Sequence, residues 1–275
     1  MISVLILTLN EEANLEACLR AVRWSDDVTV FDSYSTDRTV EIAKDFGARV
    51  VQRRFDNERD HRTASLRVGF KYPWVFNPDA DEIPTPELID EMRRVVGDRG
   101  RPEVAYRMRF KTMFLGRWLK YSSLYPTWVV RLFQPAKVAF ERSINLHYKI
   151  DGPEGRLNGH FLHYTFNKGL NAWIEKHNRY SAQEAEETLK SLRRGGIPWR
   201  DLVAGDAVRR RRALKEISFR LPCRSGLRFL YMYLLRGGFL DGRPGLTYCR
   251  LLALYEYLIE VKVKELQFRE RGMPV

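Results

Sequence analysis

The sequence predicts an α/β protein in which a mixed sheet is flanked by helices and followed by a helical C-terminal extension. Three observations predict it. The first ninety residues alternate short apolar runs with helical periodicity, the pattern of βαβ units around a parallel sheet. Residues 104–166 change to short aromatic and β-branched runs, as expected of strands that complete a mixed sheet. From Asn171 onward the chain reads helical, first through Glu187 and then from about Val203. The expected division is a sheet domain over 1–165 and an extension over 166–275.

The elements follow in order. Residues 2–7 are nearly all apolar, as in a strand buried on both faces. Asn10 is expected to cap the next helix, with Glu11 and Glu12 in the first turn, where the helix dipole favours acids. Leu15, Leu19 and Val22 share one face of that helix. Residues 28–31 form a second strand ending at Asp32. Ser35-Thr36-Asp37 caps a helix that runs through Ala43 and stops at Gly47. A third strand covers 48–51 and a fourth 74–76. Thr85-Pro86-Glu87 starts another helix. Later strands are expected near 105–110, 127–133 and 161–164. Residues 193–198 read as a break. Near the C-terminus Leu251, Leu254, Tyr255, Leu258 and Ile259 repeat at helical spacing, with Glu256, Glu260 and Lys264 along the opposite side.

The most informative stretch is Trp74-Val75-Phe76-Asn77-Pro78-Asp79-Ala80-Asp81-Glu82. An apolar strand ends in three carboxylates within four positions. Clustered acids repel one another, and burying them without partners is costly. A hard divalent cation such as Mg²⁺ or Mn²⁺ makes such a cluster favourable; the simpler reading is a solvated acidic turn. Thr8-Leu9-Asn10, Asp32 and Asp79-Ala80-Asp81 all follow strands, so they converge on the edge where open α/β sheets bind ligands. There is no Gly-x-Gly-x-x-Gly after the first strand and no Gly-x-x-x-x-Gly-Lys-Ser/Thr anywhere. A nucleotide site here must use side chains and a metal.

Bulk properties narrow the partners. The 275 residues are 44% hydrophobic and 30% charged, enough for a real core beneath a hydrophilic surface. The three cysteines are too scattered for a disulfide framework or a zinc site. No basic leader precedes the first strand, and no uncharged apolar run reaches the ~18–20 residues of a spanning helix. The expected location is therefore cytoplasmic, with peripheral contact at the inner face of the membrane. The net charge of +12 calls for an anionic partner. No nucleic-acid-binding motif accompanies it, so nucleic acid is not the expected one.

Three ordered stretches now align with a known family. Val4-Leu5-Ile6-Leu7-Thr8-Leu9-Asn10-Glu11-Glu12, Asp32-Ser33-Tyr34-Ser35-Thr36-Asp37-Arg38-Thr39 and the 74–82 stretch resemble family 2 glycosyltransferases. They are most similar to bacterial lipopolysaccharide-core enzymes that lack membrane spans. Residues 155–164 and 237–245 resemble later parts of the same enzymes. The resemblance implies a GT-A-like, Rossmann-type fold, a nucleotide-diphosphate sugar donor, Mn²⁺ or Mg²⁺, and inversion at the anomeric carbon. It implies that Thr8, Asn10 and the adjoining Glu11 hold the nucleotide, that Asp32 contacts base or ribose, and that Asp79 and Asp81 are the metal and ribose acids. Arg62 falls where the family places donor-contacting residues, and His163 where a late histidine completes the metal sphere. The acceptor implied is a saccharide or lipid-linked saccharide of a cell-envelope glycan, lipopolysaccharide core or capsule.

The resemblance breaks at the general base. Related enzymes carry a His-Glu pair just before the Gly-x-Leu-x-Gly stretch, whereas this chain has Asn145-Leu146-His147-Tyr148. Tyrosine, with a reference pKa near ~10, is a poor base at neutral pH. The role passes to Asp151, Glu141 or His147, with Glu82 a further option. A nucleotide-sugar-binding protein without transferase activity, or a basic scaffold or nucleic-acid-binding protein, are the other readings. Trp118, Tyr121, Tyr125 and Trp128 read as either core or a sugar-stacking platform. Arg209–Arg212, Lys215 and Arg220 precede the apolar run 229–235, a pairing that fits an anionic membrane surface as well as a solvated face.

Overall fold

In the computed structural model the first strand, β1 (Ser3–Thr8), lies inside the sheet, third from one edge. The structure describes residues 1–141, 147–194, 199–202, 207–221 and 223–274. Asn145, Leu146, the break at 195–198 and the helix start at Val203 lie outside them, as do the side chains of Arg211, Arg212 and Lys215. The chain forms two compact units. One is Met1–Trp118 with Leu124–Lys168; the other is Leu119–Ser123 with Gly169–Val275.

The first unit continues with α1 (Glu12–Ala21), β2 (Val28–Asp32), α2 (Thr39–Asp45), β3 (Arg49–Gln52), α3 (Glu58–Ser65), β4 (Val75–Phe76), β5 (Glu82–Pro84) and α4 (Pro86–Gly97). Then follow β6 (Ala105–Phe114), β7 (Arg117–Trp118), β8 (Trp128–Phe133), β9 (Val138–Glu141), β10 (His147–Ile150) and β11 (Glu154–His163). The strand order is β3-β2-β1-β4-β8-β6-β11-β5, with β7 paired to β6. β1 to β4 run parallel, and β8 is antiparallel to both β4 and β6, so the sheet is mixed as expected. β9 and β10 form a separate hairpin.

Alternation along β1 explains the layers. Val4 and Ile6 face one core with Leu15 and Leu19 of α1, and Leu88 and Met92 of α4. Leu5 faces the other, with Phe31, Val75, Phe133 and Phe140 of the hairpin. Full burial of Leu88 and Met92 contributes roughly 2 kcal/mol each. Thr85 caps α4 by accepting from the Leu88 N–H, and Pro86 opens it, as read from sequence. α1 differs. Asn10 has φ 54° and does not cap it. The Thr39 hydroxyl accepts from Glu11 N–H at 2.7 Å and the Asp37 carboxylate from Glu12 N–H at 3.1 Å. The loop after β2 crosses the start of α1 and supplies the cap from a distance.

In the second unit α5 (Gly169–Arg194) extends past the expected end at Glu187, and is followed by α6 (Trp199–Leu202), α7 (Ala207–Ser218), α8 (Arg224–Leu230) and α9 (Gly242–Glu270). α5 packs on α9 through Ala185, Ile259 and Val263. The glycine-rich stretch that leads into the first turn of α9 has a structural purpose. A Cβ on Gly245 would sit 2.4 Å from the Gly238 carbonyl oxygen, which lets the buried Asp241 meet the segment 119–123. Its carboxylate accepts from the N–H groups of Lys120, Tyr121 and Ser122 at 3.1, 3.0 and 2.7 Å, and from the Ser122 hydroxyl. Asp241→Ala strands these buried donors and should destabilise the protein by about 3 kcal/mol or more. Urea unfolding followed by helical circular dichroism checks this, and Asp241→Asn should recover part of the loss.

Candidate active site

The loop after β4 is built around buried charge. Asp79 extends from the C-terminal end of β4, forms a parallel bridge to Leu7 and accepts the Glu82 N–H through its carbonyl. One carboxylate oxygen of Asp79 pairs with Arg131 of β8. The other lies 3.4 Å from Arg62 of α3, which also binds Glu58 at 2.5 Å. Arg131 reaches Glu82 at 2.6 Å, and the second Glu82 oxygen accepts the Asp79 N–H at 3.0 Å. Burial works against an ionised Asp79, but the Arg131 and Arg62 charges outweigh it and hold the carboxyl at about 2. Burial dominates at Glu82 and pushes it up to about 7 despite Arg131. Burial opposes the Arg62 charge, but Asp79 raises its pKa above the ordinary value.

Asp81 points elsewhere. The β5–β11 pairing sets His163 opposite Glu82, and Tyr164 N–H donates to the Asp81 carbonyl. His163 Nε2 then lies 3.3 Å from Asp81 Oδ2. Burial opposes the imidazolium, but the Asp81 hydrogen bond and charge raise the His163 pKa. Its Nδ1 is buried without a hydrogen-bond partner. Two ligands in cis on one octahedral cation, each at ~2.1 Å, lie ~3 Å apart. The Asp81–His163 pair fits that spacing, and its mixed oxygen and nitrogen donors suit Mn²⁺. Asp79, engaged on both oxygens, is not a free donor. Among the described residues no three His, Cys, Asp or Glu side chains gather into a metal cage. A cation here would take its remaining ligands from a substrate, as Mg²⁺ sites do with phosphate oxygens.

The nucleotide edge is a hydrogen-bonded shelf. Asp32 is fully buried and accepts from Thr8 at 2.9 Å, from Ser35 N–H at 2.9 Å, from the Ser35 hydroxyl and from Gln52 at 3.0 Å. With both carboxylate oxygens engaged twice it braces the loop at the edge where the base or ribose contact was expected. Asn10 accepts from Thr36 N–H at 2.8 Å, and Glu11 pairs with Lys168 and Asn14. The large apolar side chains exposed on this edge are Leu9 and Tyr34, and Arg54 lies 5.9 Å from the Tyr34 ring.

This geometry is accompanied by sequence similarity. The pattern of Glycosyl transferase family 2 matches residues 3–151. The chain belongs to that family. An uncharacterized glycosyltransferase of Rickettsia typhi is 26% identical over 284 residues, covering 99% of this chain and 89% of that protein. The lipopolysaccharide core biosynthesis glycosyltransferase LpsC of Rhizobium meliloti is 26% identical over 208 residues, 70% of this chain and 73% of LpsC. Among solved structures, glucosyl-3-phosphoglycerate synthase from Mycobacterium tuberculosis, in complex with Mn²⁺ and UDP-glucose, is 26% identical with a TM-score of 0.36. That overlap covers 40% of this chain and 44% of the synthase.

In this glycosyltransferase the three base candidates do not join the cluster. Asp151 sits beside Lys137, to whose carbonyl its N–H donates, at the end of the sheet opposite Asp79. Its placement argues against the catalytic role expected of it. Glu141 and His147 pair across the hairpin on its exposed face, where Glu141 meets Lys149 at 3.4 Å. The alternation of β10 turns Tyr148 inward instead, its ring packed on Phe140 and its hydroxyl buried without a hydrogen-bond partner.

Sequence reasoning missed Arg131 and gave Glu82 only a minor part. A signal was present: an arginine inside the apolar run 128–133 must meet a carboxylate if that strand is buried, and the nearest unclaimed acids follow β4. Arg131→Met should cost about 3–5 kcal/mol by leaving Glu82 buried without its cation; adding Glu82→Gln should restore part of it. The raised Glu82 pKa also sets a sign. Between the ordinary glutamate value of 4.5 and about 7 the folded state holds a proton that the unfolded state has lost. Wild type should therefore lose stability relative to Glu82→Gln as pH rises through that window, measurable by thermal melts.

Proposed function

We propose that the chain is an inverting, metal-dependent glycosyltransferase that moves a sugar from a nucleotide-diphosphate donor to a cell-envelope glycan, with lipopolysaccharide core as the first candidate. The observation that carries this reading is the Asp81–His163 pair, two donors at ligand spacing on the substrate side of a charge-locked loop. A bound divalent cation would neutralise the charge that develops on the departing diphosphate. Asp81 and His163 would hold it, His163 through a deprotonated Nε2. Arg131 and Arg62 keep Asp79 fixed so that the loop does not reorganise during transfer. Thr8, Asn10 and Glu11 shape the shelf, and Tyr34 offers the nucleotide base an exposed ring on which to stack. The general base stays open among the expected candidates: Glu141 and His147 share the exposed face of the hairpin. The similarity to LpsC supports the core-glycan acceptor.

Asp81→Asn should preserve the melting temperature while lowering metal-dependent donor turnover by about 10²-fold or more. Turnover of UDP-, GDP- and ADP-sugars with Mn²⁺ checks this. Wild-type rates in the variant would contradict the metal assignment. Donor binding with no turnover in wild type would instead mark a nucleotide-sugar-binding protein.

The second unit carries a surface suited to a membrane-linked acceptor. Leu227, Leu230, Tyr231, Leu234 and Leu235 of α8 and the turn after it are exposed, Leu235 by 81%, and Phe239 and Leu240 extend the apolar surface. Arg209 and Arg210 of α7 are exposed as well. No helix among the described residues is long and apolar enough to cross a membrane. Contact would be peripheral, combining apolar insertion with attraction to anionic lipid. Leu234→Ser with Leu235→Ser should weaken vesicle sedimentation at all salt concentrations. Replacing Arg209–Arg212 with Gln should weaken it for acidic vesicles at low salt only.

A further inference from the structure

One face of β6, β8 and β11 in the first unit carries a row of cations, most of them without a direct ion pair among the described residues. The register sets Arg107 beside Arg156 and Arg109 beside His160, with Lys111 two residues further along the same face. Like charges on directly neighbouring strand positions destabilise a sheet. Only Arg107 has a carboxylate, Glu154 at 2.6 Å. Among the described residues Arg109, Lys111 and Arg156 have no ion-pair partner. Arg109 binds the Asn158 carbonyl at 2.6 Å through one nitrogen, and its Nε is buried without a partner.

These cations are held in place. The guanidiniums of Arg109 and Arg156 lie 5.1 and 5.2 Å from the Trp128 ring centre, and the Lys111 ammonium lies 4.7 Å from that of Trp118. Cation–π contact fixes each group against the sheet instead of leaving it in solvent. Burial first, then Arg109 and Lys111, lower the pKa of His160 against the opposing pull of Glu87 and Glu91. Lys111 and His160 also line a cleft of about 550 Å³, together with Thr85, Glu87, Asn158 and Gly159. Gly159 is required there, because a Cβ would lie 2.6 Å from the backbone of Leu88. Glu91 fixes the cleft floor by accepting the N–H groups of Asn158 and Gly159 at 2.9 and 2.7 Å.

We propose that this face and its cleft bind a phosphorylated saccharide, with the phosphate held by Arg109, Lys111 and Arg156 and the sugar ring held in the cleft. As the acceptor subsite of a glycosyltransferase it rests on the function proposed above; as a phosphosugar site it does not. Several ordered cations without a direct ion pair outnumber the nearby Glu87 and match a dianionic phosphate, for which arginine geometry is well suited. The hydroxyl of Thr85, the amide of Asn158 and the carboxylate of Glu87 are the kinds of group that pair with sugar hydroxyls. A sugar-sized recess, with cations drawn back against indole rings, favours a saccharide over a flat lipid surface.

Calorimetric titration of the full chain with mannose 6-phosphate, mannose and inorganic phosphate tests this. Mannose 6-phosphate should bind more tightly than either by about tenfold or more, and the preference should weaken with salt. The double variant Lys111→Gln, Arg156→Gln should lose the preference over mannose while keeping its melting temperature and its UDP-sugar-dependent stabilisation. Equal binding of mannose and its phosphate, an undiminished preference in the variant, or loss of acidic-vesicle binding in the variant with no phosphosugar binding in wild type would each overturn the proposal. Failure of the glycosyltransferase reading looks different: no nucleotide sugar stabilises wild type, while the phosphosugar preference remains.

Discussion

The Arg131 guanidinium, buried between Asp79 and Glu82, is the interaction on which the rest of the site depends. Two carboxylates this close would repel and unfold the loop, or neutralise by taking up protons. A single arginine from an antiparallel neighbour strand removes the repulsion, and Arg62 from α3 takes the remaining Asp79 oxygen. The loop then has one stable path. Asp79 and Glu82 turn toward the arginines, and Asp81, between them, is directed at His163. Local charge pairing thereby decides which acid of the motif remains free for chemistry.

The shelf beside it follows the same logic with hydrogen bonds. Asp32 gathers Thr8, Ser35 and Gln52, tying together the ends of β1, β2 and β3. The loop that Asp32 braces goes on to cap α1 through Asp37 and Thr39. Most polar residues at this edge maintain a shape. The groups left at the rim, Asp81, His163 and Tyr34, are few, which accords with a donor that brings its own phosphate oxygens to the metal. A chain without a glycine-rich phosphate cradle has to recognise a nucleotide in this way.

Much of the sheet was legible in the sequence because its signals are local. Runs such as 2–7 and 28–31 have no other stable use, and Thr85-Pro86 marks a helix start by short-range chemistry alone. Three things were not legible. The capping of α1 by Asp37 and the neutralisation of Asp79 by Arg131 depend on partners 25 or more residues away, and the inward turn of Tyr148 depends on how the hairpin packs on the sheet. Sequence spacing identifies an acid as available without showing what claims it. Hence Asp79 and Asp32 read as ligand residues and stand in the structure as braces, while Asp81 and His163, 82 positions apart in the chain, are drawn together by strand pairing.

The central claim is that Asp81 and His163 share a divalent cation with the donor diphosphate while Asp79 only holds the loop. Titration of Mn²⁺ by electron paramagnetic resonance, with and without a nucleoside diphosphate, tests it most directly. The account predicts weak Mn²⁺ binding to the protein alone and about tenfold or more tightening when the nucleotide is present, because two protein ligands cannot complete the coordination sphere. Tight Mn²⁺ binding without nucleotide, abolished by Asp79→Asn and indifferent to His163→Ala, would contradict it.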